Sequence, residues 1–204
     1  MSQIELYVPK PADLWFRQKL LSDPATMSYN KGYDLGFDGY HKDTGCIDFP
    51  EESWAGWFAR WVNAGPERFY AYLRQRETGE FLGEVSLYQT EGPGVYEMGI
   101  VLHSSHRGKG YSKEGVRLLV DHAFGELGAK KVTNCFESSR EAALNIHKAV
   151  GFQVAKEEEG LLRLELGREA FRQLKNRGIE KVPVDSPQAV GRPSLPGSCV
   201  EIKL

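Results

Sequence analysis

The chain has 204 residues, 41% of them apolar and 26% charged, the profile of one ordinary soluble domain. With 26 Lys+Arg against 28 Asp+Glu the formal net charge is −2, so the overall basic excess that holds nucleic acid or an anionic membrane is missing, and neither partner is expected. No apolar run approaches the ~18 residues that span a bilayer, and Met1-Ser-Gln-Ile-Glu-Leu-Tyr has neither a basic n-region nor an apolar h-region, which predicts a cytoplasmic protein. Cys46, Cys135 and Cys199 form no CxxC and have no His at ligand spacing. They are expected to be ordinary thiols, with neither a disulfide framework nor a metal site.

Ile4, Leu6 and Val8 alternate before Pro9 and Pro11, which predicts a short strand and then a helix from Pro11 to about Leu21. From Ser28 to Phe49 glycines (Gly32, Gly36, Gly39, Gly45) mix with aromatics (Tyr29, Tyr33, Phe37, Tyr40), too many of the first for a helix and of the second for a disordered linker. This stretch reads as a long ordered loop. Pro50 with Glu51 and Glu52 opens a helix whose Trp54, Trp57, Phe58 and Trp61 fall on one face, a core stripe ending near Gly65-Pro66.

Strands are predicted over Arg68 to Arg76 and Glu80 to Leu87, joined by a hairpin turn at Glu77-Thr78-Gly79, and a third over Val95 to Leu102. After Arg107-Gly108-Lys109-Gly110 a helix carries Val116, Leu119, Val120, Ala123 and Phe124 on one face, and Gly125 and Gly128 mark its end. A strand over Val132 to Phe136, a helix over Arg140 to Val150, and strands near Gln153 to Lys156 and Leu161 to Leu166 complete an α+β pattern with a mostly antiparallel sheet. The expected organisation is one domain over 1–177 and a Pro/Gly-rich tail over 178–204. The tail's alternating Val200, Ile202 and Leu204 allow an added edge strand on its own sheet or a neighbour's, and with the latter a homodimer.

Strand, glycine-rich turn, helix is the order that carries chemistry. Such a turn presents consecutive backbone N–H groups, and glycine lets a phosphate approach without a Cβ in the way. Arg107-Gly108-Lys109-Gly110-Tyr111-Ser112 is neither a Walker A sequence nor GxGxxG, which disfavours a mononucleotide or dinucleotide fold. An anion-binding helix N-terminus flanked by Arg107, Lys109, Lys113 and Arg117 remains, suited to a pyrophosphate with a further phosphate nearby.

These residues resemble the GCN5-related N-acetyltransferases (GNAT), whose pyrophosphate loop has the form Gln/Arg-x-x-Gly-x-Gly/Ala; here Ser112 replaces the last Gly/Ala. A second family element, near Asn-x-x-Ala/Ser-x-x-Leu-Tyr-x-Lys-x-Gly-Phe, is similar to the run from Arg140 through Ala143, Ile146, His147 and Ala149 to Gly151-Phe152, with Arg140, His147 and Ala149 departing from it. The resemblance covers about Arg68 to Leu166 and, more loosely, Ile4 to Trp61. It implies a twisted mixed sheet with helices on both faces, and acetyl-CoA as co-substrate without a metal. It also implies pantetheine pairing to the backbone at Ile100, Val101 and Leu102, pyrophosphate binding by the amides of Arg107, Gly108, Lys109, Gly110, Tyr111 and Ser112, and Arg140 at the cofactor side.

Family members transfer the acetyl group directly to an amine. In agreement, neither Cys135 nor Ser112 has a visible His partner in sequence to activate it as a nucleophile. Direct attack needs a neutral amine, and a Lys-like amine of pKa about 10.4 is neutral only about once in 2,500 molecules at pH 7. Glu97, on the strand before the loop, is the candidate base. His147 stands where the family often has the tyrosine that protonates the leaving thiolate, and a hydrogen-bonded helix histidine is the alternative.

The Ser28 to Phe49 loop lies where the family builds its acceptor pocket. Tyr29, Tyr33, Asp34 and Tyr40 are candidates to hold a cationic amine by ion pairing and cation–π contact, the latter about 0.5–2 kcal/mol; a loop folded by its own tyrosines is the alternative. A small-molecule primary amine is the expected acceptor, the α-amine of a protein or peptide N-terminus its rival. A non-catalytic acyl-CoA-binding sensor is the rival from another class.

Overall fold

The computed structural model describes residues 2–62 and 64–176. The predicted tail, with Cys199 and the Val200 to Leu204 alternation, lies outside the described residues. The strands are β1 (Ile4–Tyr7), β2 (Arg68–Gln75), β3 (Phe81–Gln89), β4 (Val95–Leu102), β5 (Lys131–Glu137), β6 (Gln153–Glu158) and β7 (Leu161–Gly167). They form one sheet in the order β1-β2-β3-β4-β5-β7-β6. β1 with β2, β5 with β7 and β6 with β7 run antiparallel, and β4 with β5 runs parallel. The helices are α1 (Trp15–Ser22), α2 (Pro24–Met27), α3 (Glu51–Trp61), α4 (Tyr111–Gly125), α5 (Glu141–Val150) and α6 (Arg168–Asn176). The mixed, mostly antiparallel α+β architecture is the one expected.

Two compact units make up the described residues. One comprises the chain up to Leu87 together with Gly99–Gly115, the other Tyr88–Met98 and the chain from Val116 onward.

In the first unit, strand alternation separates two packed faces of the sheet. Tyr72 of β2 meets Phe16 of α1 edge-on at 5.1 Å. Its neighbour Leu73 points the other way, where a Cβ on Gly115 of α4 would lie 2.7 Å from Leu73 Cδ1, so glycine there lets α4 sit close without displacing the Leu73 side chain. Helices therefore cover both faces. The predicted helix from Pro11 is a 3₁₀ turn over Pro11–Asp13 followed by α1. The Asp13 carboxylate accepts the Lys10 N–H at 2.8 Å and the Tyr7 hydroxyl at 2.9 Å, which fixes the tighter turn before the α-helix begins. The Ser28 to Phe49 loop is ordered, with a 3₁₀ turn over Ser28–Asn30 and an antiparallel bridge between Tyr40 and Ile47. Of the α3 stripe, Trp57 and Trp61 are buried and Trp54 and Phe58 half-buried.

In the second unit α4 buries Val116, Leu119, Val120, Ala123 and Phe124, as their spacing predicts. α5 ends on Gly151 in the left-handed conformation (φ 109°), which lets Gly151 N–H reach the carbonyls of His147 and Lys148 and turns the chain into β6. α6 was not predicted. Its Phe171 stacks on Phe124 with ring centroids 4.7 Å apart, so it is held by tertiary contact more than by its own sparse apolar pattern. Cys46 is a free buried thiol, as expected.

Candidate active site

A 3₁₀ turn over Ser104–His106 follows β4, and Arg107–Gly110 then leads into α4. Gly108 (φ 77°) and Gly110 (φ 86°) both adopt the left-handed region that favours glycine, and a Cβ at either would meet nothing within 4 Å. The space above the turn is open. Among the described residues no protein group accepts from the amides of Gly108, Lys109 or Gly110. Tyr111, Ser112 and Lys113 supply the orphan N–H groups of the first turn of α4. Six successive amides at the positive end of a fifteen-residue helix suit a pyrophosphate, so the residues present fit the donor half expected from the sequence.

Lys109 and Lys113 are exposed beside these amides. Arg107 behaves differently: its Nη1 donates to the Ala25 carbonyl at 3.0 Å and its Nη2 to the Thr26 carbonyl at 2.6 Å. Its guanidinium is engaged with α2, leaving its place in the turn as its contribution. Ile100, Val101 and Leu102 form the end of β4. The parallel ladder with β5 covers Val95–Glu97 against Lys131–Thr133, and β4 runs on through Met98–Leu102 beyond it.

Glu97 is half-buried on β4, on the face opposite the buried Tyr96 and Met98. It has no hydrogen-bond or ion-pair partner among the described residues. His147 is placed otherwise. Only 2% exposed, its ring lies between Phe136 (5.2 Å) and Phe152 (5.1 Å). Nδ1 is 2.8 Å from the Ala143 carbonyl, which only accepts, so Nδ1 carries the proton. Nε2 then accepts from the Asn134 side-chain amide at 2.9 Å, and the orientation of that amide is consistent with its Oδ1 accepting the Cys135 N–H. Both ring nitrogens of the neutral imidazole are engaged. Arg140, at the N-cap of α5, has Nη1 3.5 Å from Glu137 and its guanidinium 5.8 Å from the Phe136 ring centre.

In the Ser28 to Phe49 loop, the Tyr40 hydroxyl donates to the Asn30 carbonyl at 2.5 Å and approaches the Tyr33 carbonyl at 3.2 Å. Burial, with Asp34 adding to it, raises the Tyr40 pKa against the opposing Tyr33 bond, so the hydroxyl stays neutral and staples the loop. Tyr29 sits with its hydroxyl 3.9 Å from Met27 Sδ, Tyr33 is half-buried, and the exposed Asp34 is 3.7 Å from Lys42. The turn, Ile100–Leu102 and these four loop residues fall within the first unit; Glu97, Arg140 and His147 fall within the second.

Sequence reasoning passed over a buried network at the base of this loop. Arg17 of α1 donates to the Glu84 carboxylate of β3, as does the Tyr70 hydroxyl of β2. The guanidinium lies 4.4 Å from the Trp57 ring centre and 5.3 Å from that of Phe49. Burial opposes the Arg17 charge, but Glu84 and Tyr70 outweigh it and hold its pKa above the ordinary value. Burial, then Glu84, pushes the Tyr70 pKa well up, which keeps its hydroxyl a donor. The readable signal was Glu84, a charge in the middle of a strand with almost every position buried.

The acetyltransferase (GNAT) domain family matches residues 4–153. The chain belongs to the GNAT acetyltransferase family. This GNAT chain is similar to a spermidine N-acetyltransferase from Vibrio cholerae solved with CoA and spermine, at TM-score 0.69 and 15% identity over 84% of this chain and 99% of that one. It is also similar to a GNAT-family acetyltransferase from Bacillus anthracis, at TM-score 0.63 and 13% identity over 82% of this chain and 96% of the other. A nucleotide-linked sugar GNAT matches at TM-score 0.64 and 19% identity over 86% of this chain and 93% of its own. No curated protein sequence matches the chain. These likenesses carry the GNAT fold to this chain. Among the described residues no helix is long and apolar enough to cross a membrane, and no group of three or more His, Cys, Asp or Glu could hold a metal ion.

Proposed function

We propose that this GNAT acetyltransferase transfers the acetyl group of acetyl-CoA directly to a primary amine of a small molecule. The observation that carries the donor half is the run of amides from Gly108 into the first turn of α4 that have no partner among the described residues. Bound there, acetyl-CoA supplies an electrophilic thioester. The amides of Gly108 to Ser112 hold the pyrophosphate, Lys109 and Lys113 add charge, and the backbone of Ile100–Leu102 pairs with the pantetheine arm.

Glu97 accepts the proton of the incoming ammonium, directly or through one water. It is half-buried, and among the described residues no group competes for its carboxylate. His147 keeps its place in the second motif, and with Nε2 accepting from Asn134 it offers no proton to a thiolate; we assign it to holding α5 against β5. A thiolate of pKa about 8–9 leaves without such help. The acceptor lies against the Ser28 to Phe49 loop, with Tyr29, Tyr33 and Asp34 toward the amine and Tyr40 holding the loop's shape. The likeness to a polyamine acetyltransferase supports a small cationic amine over a peptide N-terminus.

The test is release of free CoA thiol with a panel of polyamines, aminoglycosides, simple amines and N-terminal peptides. Turnover with small amines is expected. Turnover with peptides alone would make the α-amine of a polypeptide the acceptor, and CoA affinity without turnover on any amine would make the protein a binder.

A further inference from the structure

A polar clamp around the buried Thr26 joins the glycine-rich turn to the acceptor side of the first unit. Asp23, the N-cap of α2, accepts at Oδ2 from the Thr26 N–H (2.9 Å), the Thr26 hydroxyl and the Ser104 hydroxyl (2.9 Å). Thr26, fully buried, accepts the Ser104 N–H at its own hydroxyl oxygen at 2.9 Å. The Arg107 guanidinium then closes on the Ala25 and Thr26 carbonyls. Ser104 and Arg107 bracket the 3₁₀ turn that feeds the phosphate-binding amides, so their positions are set by α2 as much as by β4. Burial disfavours ionised Asp23, but the bonds from Thr26 and Ser104 outweigh it and hold its carboxyl below the ordinary value.

The other side of α2 carries the acceptor loop. A Cβ on Gly45 would stand 2.3 Å from the Met27 carbonyl and 2.9 Å from the Lys31 nitrogen, so the loop backbone rests directly on the end of α2. The Ile47 N–H donates to the Leu21 carbonyl at 3.0 Å, just before α2. A displacement of Thr26 is therefore felt at both ends: at Ser104 and Arg107 through hydrogen bonds, and at Gly45 through a contact with no slack.

We propose that Thr26, with Asp23 and Arg107, is a positioning device that couples occupancy of the pyrophosphate turn to the order of the acceptor loop. The proposal rests on the reading that the turn binds CoA. Filling the turn fixes Arg107, Arg107 fixes the α2 carbonyls, and the loop resting on α2 loses its freedom to open. The acceptor pocket is then best formed when the donor is bound. By linkage, an ordered loop raises CoA affinity by the same factor.

The test is amide hydrogen exchange of the full chain with and without CoA, alongside calorimetric CoA affinity, for the wild type, Thr26→Val, Thr26→Ser, Arg107→Gln and Gly110→Val. In the wild type CoA should slow exchange at Lys109 to Lys113 and also at the loop amides of Gly32, Gly45, Ile47 and Asp48. Thr26→Val, which keeps shape and removes the hydroxyl, should weaken CoA by about tenfold; at saturating CoA it should retain protection of the turn and lose that of the loop. Thr26→Ser should restore both. Arg107→Gln removes the other half of the clamp at an exposed position and carries the same expectation should Thr26→Val fold poorly. Loop protection that persists in Thr26→Val or Arg107→Gln, or its absence in the wild type, overturns the clamp. Wild-type CoA affinity in Gly110→Val overturns instead the reading of the turn on which the clamp depends.

Discussion

Removing Arg17 should expose how much the first unit relies on its buried ion pair. Arg17 and Glu84 have side chains only 2% and 9% exposed, so Arg17→Met leaves a carboxylate in the interior with Tyr70 as its remaining donor. Breaking a buried pair from one side costs about 3–5 kcal/mol, and the stacking of the guanidinium on Trp57 and Phe49 adds about 0.5–2 kcal/mol. At roughly 2–4 °C per kcal/mol for a chain of this size, the thermal midpoint should fall by about 7–28 °C. The double variant Arg17→Met/Glu84→Leu removes the orphan charge and should recover most of that loss. Calorimetric melts of wild type, both single variants and the double variant at pH 7 measure this. A loss below about 1 kcal/mol for Arg17→Met, or a double variant no better than the single, would refute the reasoning.

Gly45→Ala should destabilise the chain by more than about 1 kcal/mol, because φ is 80° and the new Cβ meets the Met27 carbonyl; its KM for amine should rise more than its CoA dissociation constant. Lowering the pH should cost stability below about 6.5. Burial, with Lys19 and Arg107 outweighing Asp23 and Glu80, depresses the His103 pKa, and burial with Lys109 depresses that of His106, so the folded state binds fewer protons there than the unfolded chain. That stability is complete above the unfolded value of about 6.5 and is lost as pH falls toward the depressed one. Because His103 Nδ1 accepts the Ser105 N–H at 3.3 Å as a cap, His103→Asn should keep the cap and flatten this acid limb in melts from pH 7.5 to 5. His147→Phe should lower the melting temperature by removing the acceptor of the Asn134 side-chain NH2, with little change in kcat at temperatures where it is folded; an inactive but fully stable variant would return His147 to the chemistry.

The strand, turn and helix around Arg107 were legible because their signals are local. Alternation marks Val95 to Leu102, two glycines mark the turn, and the spacing of Val116 to Phe124 marks the helix. The four-residue α2 was missed although Asp23-Pro24-Ala25-Thr26 carries a cap residue followed by proline at the first helical position. α6 was hidden for another reason: Phe171 finds its partner on α4, far away in sequence. The engagement of His147 with Asn134 and of Arg107 with α2 was equally invisible. Sequence spacing places a residue near a site but does not say whether its polar atoms are already spent.

General-base transfer by Glu97 is the central chemical claim, and Glu97→Gln tests it with shape kept and charge removed. With a small amine that the wild type acetylates, kcat should fall by about 10²–10⁴-fold, and calorimetric CoA affinity should stay within about twofold. The wild-type rate should rise toward alkaline pH as free amine accumulates, and the variant should rise more steeply. Nearly full turnover by Glu97→Gln at neutral pH, with the same pH profile as the wild type, would contradict the account.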